Sequence, residues 1–227
     1  MQVGHEPAPV RVGAICSSRR TSELAFRRLE KSGLFWRGMA DADTDSVCSM
    51  AAECDVLLFD LDDDEAARAA PLVCARASQG LRIVDLGMRS QVAFIAVASA
   101  ARRAGQSMFG ATWQTREVGK PSRLVVDDAA LVDPQTVAVL HVLADEVRSC
   151  GAAGASKAMA ALAALMAGAI GLVNAEALSL GASAGLEHKA LVSLLRQGSG
   201  WNTLLSDQSA GGPTNPGAAE TPAPCAP

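Results

Sequence analysis

The stretch CDVLLFDLDDDEAARAAPLVCARASQGLRIVDLG, residues 54–87, decides the fold class. CDVLLFDL at 54–61 is a short apolar run typical of a buried strand, and LRIVDLG at 81–87 is another. The segment between them has helical character, and its acidic residues stand at its start, where the helix dipole favours negative charge. A strand, a helix and a second strand in this order predict a βαβ unit with parallel strands.

The same alternation continues in both directions along the chain. VRVGAI at 10–15 predicts a buried strand, and SELAFRRLEKSG at 22–33 predicts a helix that ends at its glycine. Downstream, VAFIAVASAARRAG predicts a helix, QSMFGATW and SRLVVDD predict strands, and PQTVAVLHVLADEV returns to the helical period. Residues 10–152 are therefore predicted to form a doubly wound α/β domain with a mostly parallel sheet. Ligands are expected outside the carboxyl ends of its strands.

The pattern changes after Cys150, where we predict a short all-helical domain over residues 153–206. AMAALAALMAGAIGLV at 158–173 contains no charge over 16 residues. This run is shorter than the roughly 20 residues that span a bilayer, and it is rich in alanine and glycine rather than leucine. We therefore predict a buried helix of a soluble protein and no membrane partner.

Both ends of the chain are predicted to lack regular structure. Residues 1–9 are expected to be flexible, and they show no basic segment followed by an apolar one, so no secretory signal is readable. Residues 207–227 are rich in proline, glycine and small side chains, a composition typical of a disordered tail.

Composition excludes several functional classes. The apolar share is 49%, which favours a folded chain, and 20 basic against 24 acidic residues give a net charge of −4 without a basic run, so nucleic acid is not an expected partner. Six cysteines lack a CxxC pattern and only three histidines are present, which argues against a zinc site and a disulfide framework. We expect reduced thiols and a cytoplasmic location.

Lys157, in GAAGASKAMAAL, is the residue most suggestive of chemistry. Ser156 is a candidate N-cap, which would put Lys157 in the first turn of a long helix, where the dipole disfavours a cation. Burial together with the dipole would lower the pKa of the lysine, as a group that exchanges protons with a substrate hydroxyl requires. A solvated lysine at a helix start is the alternative interpretation.

Several motifs resemble those of the β-hydroxyacid dehydrogenases, a family typified by 3-hydroxyisobutyrate dehydrogenase and related to 6-phosphogluconate dehydrogenase. The resemblance is carried by Gly151, Gly154, Lys157 and the AEAL segment at 175–178, and by SAGLEHKALVSLLRQGSGWN, RIVDLG, MFGATW and SRLVV, the last resembling the family's final sheet strand. It covers roughly residues 10–204 and implies a Rossmann-like domain followed by a shortened helical domain. It further implies NAD or NADP as cofactor and Lys157 as catalytic acid and base toward a small hydroxyacid.

The resemblance also implies where the cofactor binds. The family has G-x-G-x-x-G after its first strand, whereas CSSRRT stands at 16–21 here, and each added side chain crowds a pyrophosphate. Arg19 and Arg20 can pair with phosphate instead, and two solvated arginines in a loop are the alternative interpretation. Arg37 is a candidate partner for a 2′-phosphate of NADP. The predicted cofactor-binding residues are Cys16, Ser17, Ser18, Arg19, Arg20, Leu61 and Asp62.

The predicted substrate residues are Trp113, Gln114 and Thr115, which stand where the family has Ser-Gly-Gly. Ala161 replaces the asparagine that the family carries four residues after its lysine. Two functions stay open: an NAD(P)-dependent dehydrogenase, and a non-catalytic descendant of that fold acting as a binding or scaffold protein. Because the helical domain is short, we expect a homodimer in which each protomer covers the long helix of the other.

Overall fold

The fold is taken from a computed structural model of the chain, which describes residues 10–16, 23–40, 43–61, 63–114, 122–198 and 202. Seven strands form one sheet in the order β2-β1-β3-β4-β5-β6-β7. Neighbouring strands are parallel except β5 and β6, which are antiparallel. The strands are β1 Arg11–Cys16, β2 Phe35–Ala40, β3 Val56–Asp60, β4 Arg82–Asp85, β5 Ser107–Trp113, β6 Arg123–Val126 and β7 Glu146–Ser149.

Helices connect the strands as the alternating pattern predicted, except that none is described between β5 and β6, and the doubly wound α/β fold class is confirmed. A helical region follows the sheet. The helices are α1 Glu23–Glu30, α2 Thr44–Glu53, α3 Asp63–Arg76, α4 Gln91–Arg103, α5 Pro134–Leu143, α6 Ala155–Ser183 and α7 His188–Leu195, with a 3-10 turn at Asp128–Leu131.

The sheet is buried on both faces, which explains why its strands are near-continuous apolar runs. Side chains alternate along β1, so that Val12 and Ala14 join one core cluster while Ile15 joins the other. Helices α1 and α5 cover the first cluster, and α2, α3 and α4 cover the second.

The strand order creates a switch point beside β1. The chain leaves β1 to form β2 on one side and then returns to form β3 on the other. Connections that depart in opposite directions leave a crevice at the carboxyl ends of the two central strands, which is where ligands bind in folds of this type. Cys16 at the end of β1 is paired with Asp60 at the end of β3, so both line this position.

Three elements were missing from the sequence-based prediction. Strand β2, FWRGMA, and helix α2, TDSVCSMAAE, occupy a segment with little apolar periodicity. The helix predicted over PQTVAVLHVLADEV ends at Leu143, because Ala144 is already extended and leads into β7. The prediction that SRLVV is the final strand is therefore wrong, since the polar strand β7, EVRS, follows it.

The prediction of a buried helix after Cys150 is also wrong. Helix α6 is 29 residues long, and only 6% of its most apolar 18-residue window, with mean hydropathy 1.9, is buried. By length and composition alone this helix could cross a membrane. Large apolar side chains are exposed along it at Met159, Leu162, Leu165, Met166, Leu172, Val173 and Leu180. The sequence correctly predicts that α6 is apolar, but the described residues of the chain do not cover this helix.

The chain divides into two compact units, Met1–Leu162 and Ala163–Pro227. The first contains the sheet and the first two turns of α6, and the second contains the rest of α6 and α7. Within the second unit, Asn174 and Asn202 form a reciprocal pair of amide hydrogen bonds of 2.9 Å. The sequence pattern put the change at 152/153, which is just before α6 begins. The predicted flexible residues 1–9 and the predicted tail at 207–227 lie outside the described residues.

Asp133 offers a test of how the fold responds to acid. It accepts hydrogen bonds from the backbone N–H and the hydroxyl of Thr136 at the start of α5, and it pairs with Arg82 at 2.7 Å. Partial burial raises the pKa of Asp133, but the hydrogen bonds from Arg82 and Thr136 outweigh it and hold the pKa below its usual value. The carboxylate therefore stabilises the fold above about pH 4, and its contribution fades as pH falls through the lowered pKa.

We expect Asp133→Ala to lower the free energy of unfolding by about 1 kcal/mol near neutral pH, as loss of an N-cap does. The difference from the wild type should shrink as pH falls below about 4 and through the lowered pKa of Asp133, because the carboxyl is then protonated in the folded protein as well as in the unfolded chain. Urea unfolding across this pH range measures this, with Glu30→Ala, an exposed carboxylate on α1, as control. A difference that grows on acidification would contradict the assignment.

Candidate functional site

Lys157 lies in a cage of backbone carbonyls at the start of α6. Its side chain is only 1% exposed. Nζ donates to the carbonyl oxygens of Asp85 at 2.7 Å, Gly87 at 2.9 Å and Ala111 at 2.9 Å. An ammonium group has three N–H donors, so each of them is used within the protein. The lysine thereby ties the first turn of α6 to the carboxyl end of β4 and to β5.

A buried ion pair adjoins this cage. The carboxylate of Asp85 lies 3.5 Å from Nζ of Lys157 and 2.6 Å from Nε of Arg89. Arg89 also donates through Nη2 to Oδ1 of Asp85 at 2.9 Å and to the carbonyl of Leu61 at 3.0 Å. Charges buried in this way persist only when they are paired and hydrogen-bonded. Asp85 and Arg89 were not singled out by the sequence analysis, although RIVDLG placed Asp85 at the end of a strand.

Burial lowers the pKa of Lys157, and the charge of Arg89 lowers it further, while Asp85 opposes the shift. Lys157 is therefore buried, as one of the two interpretations of the sequence expected, and the direction of its pKa shift agrees with that interpretation. The alternative interpretation, a solvated lysine, is wrong because the side chain is enclosed.

Asp127 organises the N-terminus of α6. Its carboxylate accepts hydrogen bonds from the backbone N–H groups of Gly110 and Gly154, both at 2.9 Å, and of Ser156 at 3.0 Å. Ser156 is not the N-cap that the sequence suggested, because the helix begins at Ala155 and places Ser156 inside its first turn. The free amides at the helix start are instead satisfied by a carboxylate 29 residues earlier in the chain.

Gly110 is required beside this carboxylate because there is no space for a side chain. A Cβ atom at Gly110 would lie 2.6 Å from Oδ2 of Asp127 and 2.5 Å from Oγ of Ser156. Both distances are far inside van der Waals contact. Strand β5 can therefore approach the start of α6 only with glycine at this position.

The structure brings two predicted cofactor residues to the switch point. Cys16 ends β1, and Leu61 directly follows β3 and is buried. The carbonyl of Leu61 accepts from Arg89, so the switch point is linked through one side chain to the cage around Lys157. Ser17, Ser18, Arg19, Arg20 and Asp62 lie outside the described residues.

The predicted substrate residues begin at the last residue of β5. Trp113 is its last residue, and Gln114 comes next, with Oε1 accepting from Arg123 at 3.0 Å. Both are half-buried, and Thr115 lies outside the described residues. Ala161 lies one turn after Lys157 in α6, and Arg37 lies within β2. Among the described residues, no cluster of three or more histidine, cysteine or acidic side chains could hold a metal ion.

The Asp127 contacts predict a large effect from an isosteric change. In Asp127→Asn the amide offers a single acceptor oxygen and turns N–H donors toward buried backbone N–H groups, so at least one amide loses its partner. We expect the free energy of unfolding to fall by about 3 kcal/mol, measured by chemical denaturation.

The matched control is Glu30→Gln, which makes the same change at an exposed carboxylate on α1 and should cost less than about 1 kcal/mol. Equal losses in the two variants would show that Asp127 has no special part in holding α6.

No protein-family model matches the chain, and no curated protein matches it in sequence. Solved structures do match. Mycobacterium tuberculosis 3-hydroxyisobutyrate dehydrogenase with L-serine is 19% identical, with a TM-score of 0.72 over 87% of this chain and 73% of that one.

Two structures of imine reductase from Myxococcus stipitatus also match. A variant in complex with NAD⁺ is 15% identical, with a TM-score of 0.69 over 84% of this chain and 71% of that one. The enzyme in complex with NADP⁺ is 19% identical, with a TM-score of 0.66 over 82% and 71%. These identities are low, so the likeness concerns the fold. The chain has the Rossmann-like fold of 3-hydroxyisobutyrate dehydrogenase and related oxidoreductases, as its motifs predicted.

Proposed function

We propose that the chain is an NAD(P)-dependent oxidoreductase of the β-hydroxyacid dehydrogenase type, which transfers a hydride between a small hydroxyacid and nicotinamide. The observation that supports it most is the switch point, where β1 and β3 end side by side at Cys16 and Asp60. This crevice is the position at which folds of this type bind dinucleotides. Structures with the same fold hold NAD⁺ or NADP⁺.

The proposed cofactor site uses the residues that follow the two central strands. Cys16 to Arg20 would face the pyrophosphate, with Arg19 and Arg20 supplying the charge that a glycine-rich loop supplies through backbone N–H groups. Leu61 and Asp62 would border the same crevice from β3. When bound, the dinucleotide supplies the hydride acceptor or donor.

Lys157 is proposed as the acid and base, with Trp113, Gln114 and Thr115 beside the substrate. Its lowered pKa brings proton exchange with a hydroxyl closer to neutral pH. Because its three donors are already used, a substrate hydroxyl has to replace one carbonyl, such as that of Ala111. The protein's part in the reaction is then to hold the proton at Nζ of Lys157 and to keep water away from it.

A second candidate is a non-catalytic binding or scaffold protein. It is favoured by one observation: the carbonyls of Asp85, Gly87 and Ala111 fully occupy the ammonium group of Lys157, which is enclosed. In this function the lysine serves only to join α6 to the sheet.

Dinucleotide binding tests the proposed cofactor site. Isothermal titration calorimetry of the full chain with NADH and with NADPH should show saturable binding of at least one of them. Replacing Arg19 and Arg20 together by alanine should weaken it by about tenfold or more, since charge-assisted hydrogen bonds to phosphate are lost. Arg103→Ala, at an exposed arginine in the last turn of α4, is the control and should leave affinity unchanged. No binding of either dinucleotide at millimolar concentration contradicts the proposal.

Turnover separates the two candidate functions. With a panel of small hydroxyacids, the wild type should reduce NAD⁺ or NADP⁺, and Lys157→Met should reduce the rate by about a hundredfold or more while dinucleotide affinity is kept. Circular dichroism and dinucleotide titration of the variant establish that it is folded. If the wild type binds dinucleotide but no hydroxyacid of the panel supports its reduction, the result supports the non-catalytic function.

We further propose that the chain is a cytoplasmic homodimer in which a second copy covers the exposed apolar side of α6. The stripe from Leu165 to Leu180 is too large to leave in water. Glu176 is exposed on the same helix, and a carboxylate is costly inside a bilayer, which favours a protein partner over lipid.

Sedimentation equilibrium should give twice the chain mass for the wild type, and Leu172→Glu should shift it toward monomer. Val92→Glu, at an exposed apolar residue of α4, should leave the dimer intact. A monomeric wild type in aqueous buffer, or one that requires detergent, rules out this dimer.

A further inference from the structure

An open groove of about 400 Å³ lies on the first compact unit, and Lys157 and its three carbonyl partners are not among the residues that line it. Pockets that hold small organic ligands have volumes of roughly 300–1,000 Å³, so this groove is of suitable size. It is lined by Gln114, Arg123, Val125, Arg148, Ser149, Cys150 and Met159.

Strand register explains why these side chains share one face. Alternate residues of a strand point to the same side, and β6 pairs with β7 so that Arg123 lies beside Glu146 and Val125 beside Arg148. Leu124 and Val126 point the other way into the core. The groove therefore lies on the side of β6 and β7 opposite the cluster that α5 covers.

Two guanidinium groups line the groove, and two carboxylates adjoin it, Glu146 beside both arginines and Asp128 at Ser149. Nε of Arg123 lies 2.7 Å from Oε2 of Glu146, and Nη2 of Arg148 lies 3.7 Å from the same oxygen. The hydrogen bond from Arg123 lowers the pKa of Glu146, which therefore stays ionised at neutral pH. One carboxylate thus serves two guanidinium groups. The side chain of Arg148 is 68% exposed, and its long contact leaves most of its donors facing solvent.

An apolar surface stands next to these charges. Val125 is only 4% exposed and forms part of the groove wall, and Met159 of α6 contributes a flexible apolar side chain. Methionine adapts to ligands of different shape. Charge and apolar surface together fit a molecule that has an anionic end and a hydrocarbon body.

We propose that this groove binds a small organic carboxylate with a short apolar chain, its carboxylate on Arg148 and its chain along Val125 and Met159. Arginine suits this role because its planar guanidinium matches a carboxylate with two parallel hydrogen bonds. The groove shares Gln114 with the proposed substrate residues, but Lys157 is not among the residues that line it. Met159 is two residues beyond Lys157, which puts it about 200° around the helix.

Binding of hexanoate to the full chain tests the proposal, with hexanamide as the neutral analogue and inorganic phosphate as the anion without a chain. Two-dimensional NMR titration should show saturable shifts with hexanoate that include Val125 and Met159. Arg148→Gln should weaken hexanoate binding by about tenfold, and Arg103→Gln should leave it unchanged. Because Arg148 is exposed, the variant should fold, and its thermal midpoint verifies this.

Three results would overturn the proposal. Equal affinity for hexanamide and hexanoate would show that charge plays no part in binding. Equal affinity for phosphate and hexanoate would show that the groove is a simple anion site. Hexanoate affinity that is the same in Arg148→Gln and in the wild type would place binding elsewhere.

Discussion

One buried ammonium group holds the carboxyl end of the sheet to the longest helix. Removing a lysine charge from water is costly, and Lys157 offsets this cost through three carbonyl oxygens and a nearby carboxylate. A neutral amine has two donors and would leave one of the carbonyls without its bond. The protonated form is therefore built into the fold even though burial lowers the pKa. Arg89 extends the network by orienting Asp85 and reaching Leu61.

The two candidate functions differ in one hydrogen bond of this network. In a dehydrogenase, a substrate hydroxyl exchanges with a carbonyl at Nζ of Lys157. In a scaffold, the three carbonyls stay in place. Hydrogen bonds to charged groups contribute about 1.5–3 kcal/mol each. The exchange can therefore occur only if the substrate hydroxyl forms a hydrogen bond to Nζ that replaces the free energy of the lost carbonyl bond. The proposed enzyme thus depends on a substrate that enters the cage rather than on one that rests at its surface.

The parts of the fold that were predictable from sequence have strong local patterns. The runs VRVGAI, CDVLLFDL and LRIVDLG are apolar because both sheet faces are covered, and they gave β1, β3 and β4. Strands β2 and β7 were missed because an arginine and a glycine interrupt FWRGMA and because EVRS is a short polar strand beside only one neighbour. In the site, Lys157 could be predicted from its position at a helix start. Asp127 could not, because the carboxylate that accepts from the first N–H groups of α6 lies far from the helix in sequence and belongs to no local motif. Composition showed α6 to be apolar but could not show whether this chain covers it.

The close approach between Gly110 and Asp127 couples two sequence positions that are 17 residues apart. A side chain can enter position 110 only after the carboxylate at 127 has become smaller or moved and the hydroxyl of Ser156 has turned away. Loss of that carboxylate leaves the amides at the start of α6 in need of another acceptor. The pair is therefore epistatic: substitutions that are harmful singly can be tolerated jointly, when a polar group arriving at one position takes over the hydrogen bonds surrendered at the other.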